Sequence, residues 1–254
     1  MENFRQRVRD GAPLVGSFVK TGSHQVIEVL GAAGLDFAVV DAEHAPFDAA
    51  TLDRMALAGR AAALPCLVRV PELAAAPIGQ ALDLGFAGVV VPHVGSGDAA
   101  KQVLAAAKYA GRQRGYSPST RAGGYGTRAG YLAAADKESS VWIQIEDEPA
   151  LNRLDEIAAV EEIDCLFIGR ADLAVSLGAD GARHARVADA VKAIAEAGRR
   201  HDRRVGIFIP DTTEIPALTA LGVTIFVCGT DQSYMLAEGK RVKKQTTAQF
   251  SRKA

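Results

Sequence analysis

Eight short apolar runs, regularly spaced along the chain, set the strongest limit on how it can fold. They cover residues 14–19, 35–41, 66–70, 88–92, 141–146, 164–169, 205–209 and 223–228. Helices are expected between them, over 25–33, 47–63, 72–84, 97–109, 149–160, 187–201 and 213–221, with a short one before the fifth run. A last helix is expected over 232–244, followed by a frayed polar tail to Ala254. Alternation of this kind implies a parallel sheet with its faces covered. Eight such units in 254 residues fit a (β/α)8 TIM barrel better than an open doubly wound sheet, since that barrel commonly occupies about 250 residues. There is no Gly-x-Gly-x-x-Gly after the first strand, no Walker loop and no internal repeat. A single domain over 1–254 is expected.

Charge and sidedness then exclude whole classes of function. Acids and bases are interspersed and sum to a formal charge of −1, so no surface for nucleic acid or membrane is expected. No apolar run approaches the ~20 residues that span a bilayer. The opening Met1-Glu-Asn-Phe-Arg-Gln-Arg lacks the apolar segment of a signal peptide. Cys66, Cys165 and Cys228 each lie inside a strand-like run and read as small buried hydrophobes of a reducing compartment, not as a disulfide framework or zinc set. A cytoplasmic protein is expected.

In a parallel barrel, catalytic groups stand at the C-terminal ends of strands. The most concentrated such end is Leu35-Asp-Phe-Ala-Val-Val-Asp-Ala-Glu-His-Ala-Pro-Phe-Asp48, where an apolar run stops in Asp41, Glu43 and His44. Helix capping accounts for Asp48 alone; three ionisable groups in four positions point to a cleft. The other ends offer Lys20, Arg69, His93, Gln144, Glu146, Arg170, Asp172, Asp211 and Asp231. Side chains alternate across a strand, so Trp142, Gln144 and Glu146 share one face, Arg69 goes with Leu67, and Asp41 with Val39 and Phe37. Polar groups on that face belong toward the barrel mouth, because the opposite face packs on helices.

Glu146 and Asp172 end neighbouring strands, which run about 4.8 Å apart. Carboxylates so close need a shared proton, an arginine or a cation. An oxygen-only pair suits a hard divalent ion, Mg2+ or Mn2+ in type, and solvated strand-end acids are the bland alternative. His44 is suited to moving a proton near neutral pH if Asp41 holds one tautomer. His24, His184 and His201 read as surface residues, and His93 is undecided. Lys20 could form a Schiff base with a keto substrate, but Thr21-Gly22-Ser23 looks like an open helix start rather than the apolar pocket such a lysine needs. Residues 111–130, rich in Gly, Arg and Tyr, are too long for an ordinary connection. They are expected to form a lid, an interface element or a mobile surface loop.

Five stretches occur in order: Gly31-Ala-Ala-Gly-Leu-Asp-Phe-Ala-Val-Val-Asp-Ala-Glu-His-Ala-Pro-Phe-Asp48, Leu82-Asp-Leu-Gly-Phe-Ala-Gly-Val-Val-Val-Pro-His-Val94, Gly111-Arg-Gln-Arg-Gly-Tyr-Ser117, Gln144-Ile-Glu146 and Gly169-Arg-Ala-Asp-Leu-Ala174. Together they resemble the HpcH/HpaI aldolase/citrate lyase family, in its 2-keto-3-deoxy-sugar-acid and 4-hydroxy-2-oxoheptanedioate aldolase branch. The resemblance covers nearly the whole chain and implies a barrel of the phosphoenolpyruvate/pyruvate type. It further implies a class II aldolase that uses a divalent metal ion (Mg2+, Mn2+ or Co2+) to cleave 4-hydroxy-2-oxo acids reversibly to pyruvate and an aldehyde. A homo-oligomer, a hexamer or trimer of dimers, is implied, with the final helix packed on a neighbouring subunit.

By the same resemblance, Glu146 and Asp172 bind the metal, with Gln144 beside it. Arg69 contacts the keto oxygen and His44, paired with Asp41, serves the base. Gly169, Ala171 and Asp172 offer backbone amides to the substrate carboxylate. The family often has Gly-Pro where this chain has Gly169-Arg170, so Arg170 is expected to bind a second acidic group or to point into solvent. A rival enzyme on the same barrel is an acyl-CoA lyase of the citryl- or malyl-CoA type, disfavoured by the short chain and the lack of a basic nucleotide patch. A phosphosugar isomerase or synthase is disfavoured because Ile209-Pro-Asp-Thr and Cys228-Gly-Thr-Asp put acids where a phosphate loop belongs. A barrel kept only as an assembly subunit has no use for Asp41, His44, Arg69, Glu146 and Asp172 together.

Overall fold

The computed structural model describes residues 3–251 apart from residue 112. Eight parallel strands close into a barrel in chain order: β1 (Leu14–Val19), β2 (Phe37–Asp41), β3 (Cys66–Arg69), β4 (Gly88–Val91), β5 (Ser140–Ile145), β6 (Cys165–Ile168), β7 (Arg204–Ile209) and β8 (Ile225–Thr230). The expected (β/α)8 fold is present. The helices that follow the strands are α2 (Gln25–Ala32), α3 (Ala49–Ala61), α4 (Ala75–Asp83), α5 (Gly97–Ala107), the short pair α7 (Glu148–Leu151) and α8 (Leu154–Ala158), α9 (Arg170–Ser176) with α10 (Ala185–Arg200), α11 (Ile215–Ala220) and α12 (Asp231–Ser251); α6 (Tyr131–Glu138) precedes β5. None of the described helices is long and apolar enough to cross a membrane.

Strand parity sorts the apolar residues into two cores, as the alternation requires. Phe18, Phe37, Val39, Leu67, Val90, Trp142, Phe167 and Val227 fill the barrel interior. Their neighbours Val40, Val68, Val141, Ile143 and Ile145 pack outward against the helices. Trp142, fully buried, meets Phe37 edge-on at 5.4 Å and stacks with Phe167 at 6.1 Å. The three cysteines are buried and unpaired, as expected of small core residues.

An unforeseen N-terminal helix, α1 (Phe4–Asp10), plugs the bottom of the barrel. Its Phe4 packs on Phe37 and Trp142 at 5.8 and 6.3 Å, and its buried Arg5 bonds Asp164, just before β6, at 2.9 Å. The signals were local: Phe4 and Val8 at helical spacing, Asn3 accepting from the Arg5 amide, and Gly11 closing the helix at φ +77°. The expected helix over 149–160 is two, because Arg153 leaves the helical region at φ −128°. The last helix is also longer than expected, running through the polar tail to Ser251.

The long stretch after α5 leaves the bottom of the barrel, packs outside α3 and α4 through Arg121–Asp53 (2.5 Å) and Ala122 N–Asp83 O (3.2 Å), and returns through α6 to the start of β5. Its residues 115–125 run along the outside of the barrel beside α3 and α4, from Asp83 to Asp53 and Ala75.

Candidate active site

β2 and β3 end in register, Asp41 opposite Arg69, and both side chains point into the mouth. Asp41 is fully buried and accepts from Arg69 Nε (2.9 Å) and Nη2 (2.7 Å), while Lys20 Nζ lies 3.1 Å from its Oδ2. Burial works to raise the Asp41 pKa, but Arg69 and Lys20 outweigh it and hold the carboxyl below the ordinary range. The third nitrogen of Arg69, Nη1, lies 3.2 Å from Glu43 Oε2, and the guanidinium sits 4.6 Å above the Phe18 ring.

On the far side of the mouth, β5 delivers Gln144 and Glu146. Gln144 Nε2 donates to Glu146 Oε2, and the backbone amide of His93, just beyond β4, donates to Glu146 Oε1 at 2.8 Å. Glu146 is 1% exposed, and burial pushes its pKa up against those donors. His93 holds a left-handed backbone (φ +54°), a region that His tolerates better than most residues. Partial burial opposes charge on its ring, but Asp147, Glu146 and Glu43 outweigh that and raise its pKa. Ligand atoms of Glu43, His93 and Glu146 all lie within 4.8 Å of one another.

β6 closes the site at Gly169. A Cβ there would stand 2.6 Å from Glu146 Oε2 and 3.0 Å from Gln144 Nε2, so only glycine lets these two side chains lie against the backbone. The Gly169 amide is already bonded to Ile145 O at 3.1 Å. The first intrahelical bond of α9 runs from Leu173 N to Gly169 O, so the amides of residues 170–172 precede the helical ladder.

The deciding comparison matches this frame over nearly its whole length: the family model described as HpcH/HpaI aldolase/citrate lyase fits residues 14–237. The chain belongs to that family. It is 36% identical over 206 residues to the 5-keto-4-deoxy-D-glucarate aldolase of Shigella boydii serotype 18, covering 80% of each chain. It is 33% identical over 240 residues to the hydroxypyruvate/pyruvate aldolase of Paraburkholderia phytofirmans, covering 91% of this chain and 92% of that one. The crystal structure of an HpcH/HpaI aldolase/citrate lyase family protein from Burkholderia cenocepacia J2315 superposes with a TM-score of 0.92 at 30% identity, over 97% and 100% of the two chains. This HpcH/HpaI family member is an enzyme, a carbon–carbon lyase of the aldolase type.

Within this family member, the structure redistributes several residues read from the sequence. Asp41 accepts the backbone amide of His44 (3.2 Å), not its ring, and so does not orient that imidazole. The His44 ring is half-exposed, its Nε2 3.7 Å from Glu43 Oε2. Asp172 stands on the first turn of α9 and is not part of the trio of Glu43, His93 and Glu146. Arg170 neither reaches solvent nor stands free at the mouth. It is buried, donating to Glu214 (2.6 Å) and Phe208 O (3.0 Å), and so ties β6 to the segment after β7. Lys20 Nζ lies 3.1 Å from Asp41 Oδ2, in an ion pair and not in the apolar pocket that a Schiff-base lysine needs.

Glu43 and His93 are the residues that sequence reasoning left without a role. Both lie in turns just past a strand end, where parity no longer predicts direction. The left-handed backbone of His93 had no signal in the sequence, since no glycine marks it.

Proposed function

We propose that this chain is a divalent-metal-dependent class II aldolase that reversibly cleaves 4-hydroxy-2-oxo acids to pyruvate and an aldehyde. One observation carries the reading: the inaccessible carboxylate of Glu146 gathered with Glu43 and His93, with Arg69 Nη1 beside Glu43. The donor set suits a hard cation. One buried acceptor there, Gln144 Oε1, has no hydrogen-bond donor, Glu43 Oε2 has the ion pair with Arg69 Nη1 at 3.2 Å, and burial raises the pKa of Glu146. Mg2+, Mn2+ and Co2+ all accept carboxylate and imidazole ligands. Glu146 is the ligand common to both candidate sets, with Asp172 by family resemblance and with Glu43 and His93 by geometry.

When bound, the cation supplies Lewis-acid polarisation of the 2-keto and carboxylate oxygens. The protein's own groups do the rest. His44, directly or through a water, takes the proton of the C4 hydroxyl. The C3–C4 bond breaks, the aldehyde leaves, and the electron pair moves into C2–C3 with charge on the former keto oxygen. Arg69 Nη1, its plane set by Asp41, donates to that oxygen. Return of a proton to C3 completes pyruvate. The amides of Ala171 and Asp172 serve the substrate carboxylate; that of Gly169 is already used within the sheet.

The named activities of the two aldolase relatives support a keto-acid substrate and an aldehyde co-product. We also propose a cytoplasmic homo-oligomer, a hexamer or trimer of dimers. α12 supports it, presenting Met235, Leu236, Val242 and Phe250 to solvent on a helix with few contacts to its own barrel. The activity is tested by pyruvate release from a panel of 4-hydroxy-2-oxo acids with Mg2+, Mn2+ or Co2+. No release from any member with any of the three ions overturns the proposal.

A further inference from the structure

At the end of the barrel opposite the mouth lies a cavity of about 560 Å3, bounded by Phe4 of the N-terminal plug, by Tyr131, and by Arg60, Arg114, Arg121 and Arg128. Ala87 and Ser139, the residues just before β4 and β5, also line it, which fixes its place at the N-terminal ends of the strands. Four guanidinium groups around one cavity repel unless acceptors divide them. Three hold a carboxylate: Arg114 bonds Asp83 at 3.0 Å, Arg121 bonds Asp53 at 2.5 Å, and Arg128 bonds Glu138.

These acceptors do not exhaust the donors. A guanidinium carries five N–H groups. The Nε of Arg114 and the Nε of Arg121 are buried without any hydrogen-bond partner, a condition that folded proteins seldom leave unmet. Arg114 is nonetheless held rigidly, 4.3 Å over the Tyr109 ring and 3.3 Å from Tyr131 Oη. Arg60, at the C-terminal turn of α3, pairs with no acid among the described residues.

We propose that this cavity is a second binding site, for a small multivalent oxyanion of the phosphate or polycarboxylate class. Such an anion offers planar or tetrahedral oxygen arrays that the guanidinium fork accepts bidentately. The volume lies in the range that holds small ligands. The site is separate from the catalytic mouth because the packed barrel interior stands between them. Phe4 lines the cavity and packs 6.3 Å from Trp142, the single tryptophan of the chain, so an occupant has a built-in optical reporter.

The test is titration of the full-length protein with inorganic phosphate, pyrophosphate and citrate, followed by Trp142 fluorescence and by calorimetry. One saturable site is expected, with mutual displacement among the anions that bind. Binding of the phosphates alone assigns the phosphate class, and binding of citrate alone the polycarboxylate class. Arg60→Glu is expected to weaken binding roughly tenfold or more while leaving the melting temperature unchanged, because Arg60 has no partner to lose. Arg128→Gln provides a second reading from the same wall. The proposal is overturned if none of the three anions binds, or if both variants bind as tightly as the parent protein.

Discussion

Arg69 gives two of its three nitrogens to the two oxygens of Asp41, at 2.9 and 2.7 Å, and keeps only Nη1 for the barrel mouth. The two residues are register partners at the ends of adjacent strands. A buried carboxylate therefore sets the plane of a guanidinium aimed at the site, and Lys20 completes the neutralisation. Asp41 is thus a positioning group for Arg69.

Arg69→Ala is expected to lower kcat for retro-aldol cleavage by roughly 10²–10³-fold, the usual effect of removing a preorganised donor from a developing oxyanion. Arg69→Lys should recover only part of this, since lysine keeps charge without the fork. Neither change should abolish Mn2+ binding by calorimetry. Near-parental kcat for the lysine variant would reduce Arg69 to a structural ion-pair partner.

Asp41→Asn leaves Arg69 and Lys20 without their carboxylate and should cost about 3–5 kcal/mol in urea unfolding, as for other broken buried pairs. Because the folded pKa of Asp41 is depressed, its contribution is present above the unfolded value near 3.9 and is lost as pH falls through the lower folded value. The parent protein should therefore lose its advantage over Asp41→Asn below about pH 4. An advantage independent of pH down to acid unfolding would contradict this assignment.

Excess chelator should abolish cleavage, and a divalent cation should restore it. Calorimetry with Mn2+ on Glu146→Gln, Asp172→Asn and Glu43→Gln separates the two ligand sets. Glu146→Gln should lose binding on either. Loss with Asp172→Asn but not with Glu43→Gln selects the family pair, and the reverse selects Glu43 with His93. Parental affinity in all three variants, or full activity in metal-free protein, would refute the metal site.

His44→Ala should reduce kcat for retro-aldol cleavage by about 10²–10⁴-fold, the range for a general base. Exchange of the pyruvate methyl protons, followed by NMR, should fall less, because that reaction has no C4 hydroxyl. Small, equal losses in both reactions would move the base role elsewhere, and His93→Ala is then the variant to compare.

Lys108, buried beneath the barrel with its Nζ on Asp136 O (2.7 Å) and Ser139 O (2.5 Å), has its pKa pushed down to about 8, first by burial and then by Arg5. Between about pH 8 and 10.5 the unfolded chain keeps a proton that the folded chain has released, so this group makes stability rise with pH there. Relative to Lys108→Met, the parent should gain up to about 1.4 kcal/mol per pH unit in that window. Parallel stability curves for the two proteins would show that Lys108 stays charged when folded.

The chain's pattern alone determined the barrel, because eight apolar runs and their helices leave few ways to bury so many strands on both faces. Parity placed Trp142 inside and Gln144, Glu146, Asp41 and Arg69 toward the mouth, since alternation is a local property of the backbone. Partner choice is not local. That Asp41 takes Arg69 and Lys20 rather than the His44 ring, that Arg170 is drawn to Glu214, and that Glu43 and His93 converge on Glu146 depend on turns beyond the strand ends. There the chain's direction is set by packing and by a left-handed backbone at His93, which no residue type announces. The same holds for the arginines of residues 111–130: their composition is plain in the sequence, but only closure of the barrel brings three of them together with Arg60 from α3.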